Sequence, residues 1–196
     1  MRVLVVTPPE PFIGLAEAKQ HLKVQHDVED ALITGYIAAA CSHIDGPDGW
    51  LGRALGVQTL EARFDLGPCA TLIRLRYPPI VSIASVRYLD AKREEVVAEP
   101  GTYELVGDEI IAIGAPAWAS AYAGREALRV RFVAGYAPRV SGEQQISTLP
   151  AAIRVAVLLM VEDLYRNRGN VTAGTRTRID MPATSEALLQ PFRVYA

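Results

Sequence analysis

The sequence has 196 residues, half of them hydrophobic, and a formal charge of −2 at neutral pH. A chain of this length buries roughly 70% of its unfolded surface, so we expect a folded core that needs no disulfide or metal. The charge argues against broad attraction to nucleic acid and no apolar stretch is long enough to span a bilayer, which predicts a soluble protein made in the cytosol.

Two helices are predicted in the N-terminal quarter of the chain. Leu15, Ala18 and Leu22 recur on one stripe, which is the pattern of a short amphipathic helix. A second helix is predicted to begin at Asp27, whose carboxylate can cap the free N–H groups of the first turn. The Gly-Pro-Asp-Gly sequence at 46–49 is a strong stop signal and predicts the end of that helix.

The hydrophobic period changes to two between Val57 and Tyr136. Leu60, Ala62 and Phe64 alternate with charged residues, which is typical of a half-buried strand. Similar strands are predicted at 73–77, 80–89, 94–98, 102–106, 109–113 and 128–132. Turn signals at 90–92 and 107–108 predict hairpins between neighbours. We therefore predict an inserted antiparallel module of six or seven short strands.

A third helix is predicted after a polar loop over 135–148, with Ser147 or Thr148 as its cap and Gly169 as its stop. Its apolar residues spread around most of the circumference, so it must be covered on several sides. Either a neighbouring subunit or the β module could provide that cover. The apolar residues that widen the hydrophobic surface of this helix are Val155, Leu158, Leu159 and Val161.

The C-terminal region combines an arginine-rich segment with an apolar ending. The segment 166–178 could be a solvated loop, could pair with an acidic protein surface, or could contact phosphates. The last ten residues are unusually apolar for a chain end, so we expect them to dock on their own subunit or on a partner. The residues concerned are Arg166, Arg168, Arg176 and Arg178, followed by Leu188, Leu189, Phe192, Arg193 and Tyr195.

The sequence offers no catalytic or metal-binding constellation. His21 and His26 are five residues apart, a spacing that does not place two ligands on one helix face. Cys41 lies on the apolar face of the second predicted helix with no nearby base, which favours an inert thiol, and Cys69 forms no CxxC motif with it. We therefore expect no catalytic residue, no metal and no cofactor, and hence a protein that is not an enzyme.

An ordered set of short motifs runs along almost the whole chain: Leu15-x-Glu17-x-Lys19-x-His21-Leu22, Asp27-x-Glu29-Asp30, Tyr77-Pro-Pro-Ile, Pro100-Gly-Thr-Tyr103, Leu149-Pro150-x-x-Ile153, Leu164-Tyr165-x-Asn167-Arg168 and Leu188-Leu189-x-Pro191-Phe192-Arg193. This ordered set resembles tailed-phage head–tail connector (adaptor) proteins, including prophage and gene-transfer-agent members. The β stretch is larger than in compact members of the family, and the resemblance leaves its role open.

The resemblance implies a homo-oligomeric ring, commonly a dodecamer, in the virion neck between the portal protein and a tail-side neck or stopper protein. DNA would pass through without specific binding, and assembly would occur in the bacterial cytoplasm. The arginines and the apolar ending named above would dock on the portal, and Val155, Leu158, Leu159 and Val161 would form the ring interface. The alternative is a nucleic-acid-binding module that uses the Arg166–Arg178 segment.

The fold class predicted from these patterns is α+β. It consists of a small helical core with three main helices, an inserted antiparallel β module and an extended C-terminal tail. The predicted divisions are 1–56 for the N-terminal helical part, 57–136 for the β module, 137–168 for the loop and third helix, and 169–196 for the docking tail.

Overall fold

The computed structural model describes residues 1–66, 72–116, 118–119, 121–142, 144–168 and 181–195. The protein has the predicted α+β class, with helices and antiparallel sheets. It divides into two compact units. The β unit comprises Met1–Glu10 and Arg53–Ala137, and the helical unit comprises Pro11–Gly52 and Pro138–Tyr195.

The β unit contains eight strands in two antiparallel sheets within the described residues. They are β1 (Arg2–Thr7), β2 (Gln58–Phe64), β3 (Leu72–Arg74), β4 (Ile80–Leu89), β5 (Glu95–Val97), β6 (Tyr103–Val106), β7 (Glu109–Ala112) and β8 (Leu128–Ala134). The larger sheet has the order β1-β2-β8-β4-β5, and the smaller has the order β3-β7-β6. A 3-10 turn at Pro100–Thr102 precedes β6.

One face of the larger sheet forms the core of the β unit. Leu60 lies opposite Phe132 and Ala62 lies opposite Val130 on the neighbouring strand, and all four side chains are buried. Val86 of β4 lies opposite Val130 on the other side and is fully buried as well. The alternation in the sequence of β8 therefore places every second residue of that strand in the core.

The opposite face of the same sheet is charged. Arg63, Arg129 and Arg87 form one row across β2, β8 and β4, an arrangement of like charges that destabilises a sheet unless it is offset. Two glutamates offset it: Glu95 accepts hydrogen bonds from Arg87 at 2.9 Å and Arg129 at 3.1 Å, and Glu61 accepts one from Arg63 at 3.0 Å. Glu61 also accepts a hydrogen bond from Arg131 at 2.9 Å. Burial raises the pKa of the Glu61 carboxyl, but the two arginines outweigh this and the pKa is lowered overall.

The helical unit contains four α-helices and one hairpin within the described residues. They are α1 (Leu15–Leu22), α2 (Asp30–Ile44), β9 (Arg139–Ser141), β10 (Gln144–Ile146), α3 (Ala151–Arg166) and α4 (Ala183–Leu189), followed by a 3-10 turn at Gln190–Phe192. Its buried side chains include Ile33 and Ile44 of α2 and Ile153 and Val157 of α3. None of the described helices is long and apolar enough to cross a membrane.

The strand predictions for 57–136 are largely confirmed. The observed β4 has the predicted bounds, and both predicted hairpins form, between β4 and β5 and between β6 and β7. The strand predicted at 73–77 is shorter, because Tyr77 has a positive φ of 66° that an extended strand does not accommodate.

Two strand features were not predicted. The N-terminal residues form β1, which pairs with β2 at the edge of the larger sheet. The prediction of a polar loop over 135–148 was wrong, because β9 and β10 pair there as a hairpin with Gly142 at its turn in a left-handed conformation, φ 62°. Neither segment is long enough to show a clear period.

The predicted helix caps were wrong. Helix α2 begins at Asp30 instead of Asp27, since the Asp27 carboxylate accepts a hydrogen bond from Lys19 at 2.6 Å and does not cap the helix. Helix α3 has Pro150 at its N-cap position with no side-chain cap bond, and it ends at Arg166. The Ser147 hydroxyl instead accepts a hydrogen bond from Arg154 at 2.9 Å.

Candidate docking site

The C-terminal segment 181–195 is anchored on its own subunit by α4. Leu189 is fully buried, and the buried Ser185 hydroxyl donates a hydrogen bond to the main-chain oxygen of Ala156 in α3 at 3.2 Å. Burying a polar group is favourable only when it is hydrogen-bonded, and this bond meets that requirement. The described part of the predicted extended tail is therefore a short helix and turn packed against α3.

The residues after α4 lie against the main chain at 51–52. The Val194 N–H donates a hydrogen bond to the Leu51 oxygen at 2.8 Å. Gly52 has a φ of +64°, and a Cβ at this position would lie 2.4 Å from the Val194 oxygen. A glycine is required at position 52 both by the left-handed backbone and by this close approach.

Arg193 lies between two aromatic rings. Its guanidinium carbon is 4.1 Å from the Trp50 ring centroid and 4.9 Å from that of Tyr195. The Gln190 side-chain amide donates a hydrogen bond to the Tyr195 hydroxyl at 3.0 Å, which orients the ring. The two cation–π contacts hold the end of the chain in place, and the Tyr195 side chain, 70% exposed, faces solvent.

The predicted docking residues of the tail therefore divide into two groups. Leu189 is an internal anchor and offers no surface to a partner in this conformation. Leu188, Phe192 and Arg193 are partly exposed, and Tyr195 is the most exposed. The accessible part of the candidate docking site is thus an aromatic and arginine surface built on Trp50, Arg193 and Tyr195.

The predicted arginine segment is only partly described. Arg166 forms an ion pair with Glu162 one helical turn earlier. Arg168 forms an ion pair with Glu29 at 2.8 Å and stacks over the Tyr165 ring at 4.4 Å. Both arginines are therefore already paired with groups of their own unit. Arg176 and Arg178 lie outside the described residues.

Glu29 links α3 to the start of α2. The Tyr165 hydroxyl donates a short hydrogen bond to its carboxylate, and this bond together with Arg168 lowers the pKa of the Glu29 carboxyl. The same bond raises the pKa of the Tyr165 hydroxyl, because it stabilises the protonated form and a phenolate would be repelled by the carboxylate. The arrangement orients Arg168 and Tyr165 at the C-terminal end of α3.

Further polar pairs join α1 to α3. His21 lies 3.1 Å from the Glu162 carboxylate, and Arg154 donates a hydrogen bond to Glu17 at 2.6 Å. Both pairs lie between partly exposed side chains, for which ion pairs contribute at most about 1 kcal/mol. Their main effect is to set the orientation of α1 on α3.

The four residues predicted at a ring interface lie in different environments. Val161 is fully buried and Leu158 is almost so, both within the single chain. Leu159 is partly exposed, and Val155 is 45% exposed. A neighbouring copy could therefore reach Val155 and Leu159 without any rearrangement of the helical unit.

A small cavity of ≈ 170 Å³ in the helical unit is lined mainly by apolar side chains, among them Ala40, Met160 and Leu164. Its polar lining consists of His43 and Asp163, and the Asp163 carboxylate already accepts a hydrogen bond from Asn167 at 2.8 Å. Among the described residues that line the cavity there is no serine, threonine, cysteine or lysine.

The cysteines and the potential metal ligands are the other candidate chemical groups. Burial raises the pKa of the Cys41 thiol to about 12, so it is not a thiolate at neutral pH, and Cys69 lies outside the described residues. In the part of the chain that the structure describes, no three His, Cys, Asp or Glu residues come together in a way that could hold a metal ion.

Sequence reasoning missed Trp50, Gly52 and Glu29 as parts of the docking site. Trp50 and Gly52 lie just after the Gly-Pro-Asp-Gly turn and have no periodic signal, and they meet residues 193–195 only through the fold. The acidic residues at 27–30 were interpreted as a helix start, and Glu29 at the N-cap position of α2 also binds Tyr165 of α3 and Arg168 just after that helix. A tryptophan in a glycine-rich turn was the available signal, since such a large ring is usually packed against something.

The fold is shared with chains of gene transfer agent particles. Similar chains occur in the neck of an empty GTA particle computed with C6 symmetry, in the virion of a native gene transfer agent (GTA) particle, and in the neck of a native GTA particle computed with C12 symmetry. Each is 24% identical, and each alignment covers 100% of this chain and 97% of the other. The TM-scores are 0.74, 0.74 and 0.71 respectively.

No protein-family model and no curated protein matches the sequence. The similarity is therefore one of fold over the whole length, at an identity too low to transfer residue roles.

Proposed function

We propose that this chain is a structural subunit of the neck of a phage-like particle, an adaptor that forms a ring between the capsid portal and the tail. The observation that carries the proposal is the full-length likeness in fold to chains of GTA necks, in which neither chain has a large unmatched part. The ordered motifs of head–tail connectors support the same role.

The proposed role is mechanical and not catalytic. Copies of the chain would form a ring in the virion neck, and DNA would pass through the centre without sequence-specific contacts. A near-neutral chain suits a conduit, because a strongly basic lining would retain passing DNA. The ring would connect the portal on one side to a tail-side neck protein on the other.

The C-terminal surface is the proposed portal contact. Trp50, Arg193 and Tyr195 form a preorganised aromatic and arginine surface, the residue types enriched at the centres of protein interfaces. Because Leu189 and the Val194 main chain fix this surface on its own subunit, its geometry is set before a partner binds.

The test is capture of the chain by purified portal protein from the same particle. We expect Tyr195→Ala to weaken capture at least tenfold while leaving thermal unfolding nearly unchanged, because this ring is mostly exposed. Tyr122→Ala is the matched control, since Tyr122 also stacks on an arginine, Arg93, but lies in the β unit. Equal capture of wild type and Tyr195→Ala would contradict the proposed contact.

A nucleic-acid-binding role is less well supported. Of the four arginines that this alternative would use, Arg166 and Arg168 are bound to glutamates within the helical unit. Phosphates would have to compete with those carboxylates.

A further inference from the structure

Within the described residues, strand β1 is an edge strand that pairs with a neighbour on one side only. It is the outermost strand of the five-stranded sheet, and it carries three valines, one leucine and a threonine after Arg2. Val5 and Val6 are 46% and 43% exposed. An edge strand of this composition presents unpaired main-chain N–H and C=O groups that can bind another strand.

The other outer strands of the two sheets are better protected. Strand β5, at the opposite edge of the same sheet, has only three residues and includes Glu95, which binds Arg87 and Arg129. Strand β3 has three residues and β6 has four, of which Glu104 is exposed. Short length, charge and β-bulges are the usual means by which proteins prevent edge pairing. Strand β1 has six residues and a single charge, Arg2, at its start, and its pairing with β2 is irregular only at Val6.

The β9–β10 hairpin of the helical unit pairs with no further strand among the described residues. It has three residues in each strand, and Val140 and Ile146 are 74% and 51% exposed. An isolated two-stranded hairpin is marginally stable in water and gains stability from further strands or from packing against a helix. Its exposed apolar side chains match those of β1 in character.

We propose that, in the assembled ring, the β9–β10 hairpin of one copy pairs with the β1 edge of the next copy and extends the five-stranded sheet. This inference rests on the proposed ring. Pairing β1 with β1 of a second copy would close a two-fold dimer, whereas a ring requires two different surfaces on each copy. The similar chains come from necks computed with C6 and C12 symmetry, which have that requirement.

The first experiment measures assembly of the full chain by mass photometry, alone and with portal protein added. We expect Val6→Lys and Val140→Lys each to abolish the closed oligomer, because a charge on an edge strand opposes pairing. Val97→Lys, on the opposite edge of the sheet, is the matched control and should assemble as wild type does. Circular dichroism and thermal melting would show that each variant folds.

The second experiment identifies the contact directly. In a chain with Cys41→Ala and Cys69→Ala, copies with Val6→Cys are mixed with copies with Val140→Cys and treated with a short bis-maleimide. We expect a cross-linked pair from the mixture and much less from Val6→Cys alone, since β1 does not meet β1 in the proposed ring.

The possible results separate the inference from the proposed function. Assembly of wild type that persists in both lysine variants, or cross-linking of Val6→Cys copies with each other, would overturn the strand pairing and leave the ring in place. A wild-type chain that stays monomeric both alone and with portal protein would overturn the ring itself, and the pairing with it.

Discussion

Arg193 shows how a single side chain can hold the end of the chain. Its guanidinium lies between Trp50 and Tyr195, and each cation–π contact of this kind contributes about 0.5–1 kcal/mol at an exposed site. We expect Arg193→Ala to lower the free energy of unfolding by about 1 kcal/mol, measured by urea denaturation. Arg125→Ala, at an exposed position of the β unit, is the control, and an equal loss in both variants would contradict the stacking role.

A substitution at Gly52 tests the contact between the C-terminal segment and residues 51–52. Alanine in a left-handed conformation costs about 1–2 kcal/mol. At Gly52 it would also clash with the Val194 oxygen, whereas Gly107 has nearly the same φ of +65° and open space around its Cβ position. We expect Gly52→Ala to destabilise the protein more than Gly107→Ala by about 1 kcal/mol or more in urea denaturation.

Limited proteolysis would give an independent measure of the same contact. Displacement of Val194 in Gly52→Ala should release the last residues of the chain and make them susceptible to carboxypeptidase. Equal stability and equal protection in the two glycine variants would show that the close approach at Gly52 does not hold the C-terminal segment.

Glu61 makes the stability of the β unit depend on pH. Its pKa in the folded protein is below the ordinary value of 4.5, so its ionised form stabilises the fold above that value. This stabilisation is lost as the pH falls through the folded pKa, because the protonated carboxyl no longer pairs with Arg63 and Arg131. We expect Glu61→Gln to lower the melting temperature at pH 7 and the difference from wild type to shrink below about pH 4.5.

The exposed Glu104 provides the control for this titration. Glu104→Gln removes the same charge from the β unit without removing a buried ion pair. A difference between wild type and Glu61→Gln that stays constant from pH 7 to pH 3 would contradict the role of ionised Glu61.

Helix α3 has both a buried and an accessible apolar side. Val161→Ala removes two buried carbons and should lower the free energy of unfolding by about 2 kcal/mol. Val155→Ala should change it by less than about 0.5 kcal/mol, because Val155 is on the accessible side. If Val155 belongs to the ring interface, the same variant should raise the concentration needed for assembly, which light scattering would measure.

The elements with a long, regular pattern could be predicted from the sequence. Strand β4 was predicted with its observed bounds, and α3 was predicted to within two residues of its C-terminal end, because each is a mainly apolar run of ten or more residues bounded by turn or stop signals. The alternation of apolar residues and arginines in β2 and β8 likewise identified which side chains form the core of the β unit.

The remaining features depend on contacts between distant residues, which a local pattern does not contain. Strand β1 forms by pairing with β2, which lies more than fifty residues later in the chain. Asp27 does not cap α2, because its carboxylate accepts a hydrogen bond from Lys19. The resemblance predicted Arg193 as a docking residue. Its contact with Trp50 could not be inferred, because the two residues are 143 positions apart in the sequence. Tertiary contacts of this kind commonly override local preference.

For the whole molecule, the proposed conduit predicts weak interaction with DNA. The formal charge is −2, and Arg166 and Arg168 are paired with glutamates. We expect no binding of a duplex of about 30 base pairs in fluorescence anisotropy at roughly 50 mM salt, where contacts with phosphates are stronger than at physiological salt. Binding that falls steeply with salt, with a slope reduced by about one for each arginine removed at 166, 168, 176 or 178, would instead favour the nucleic-acid-binding alternative.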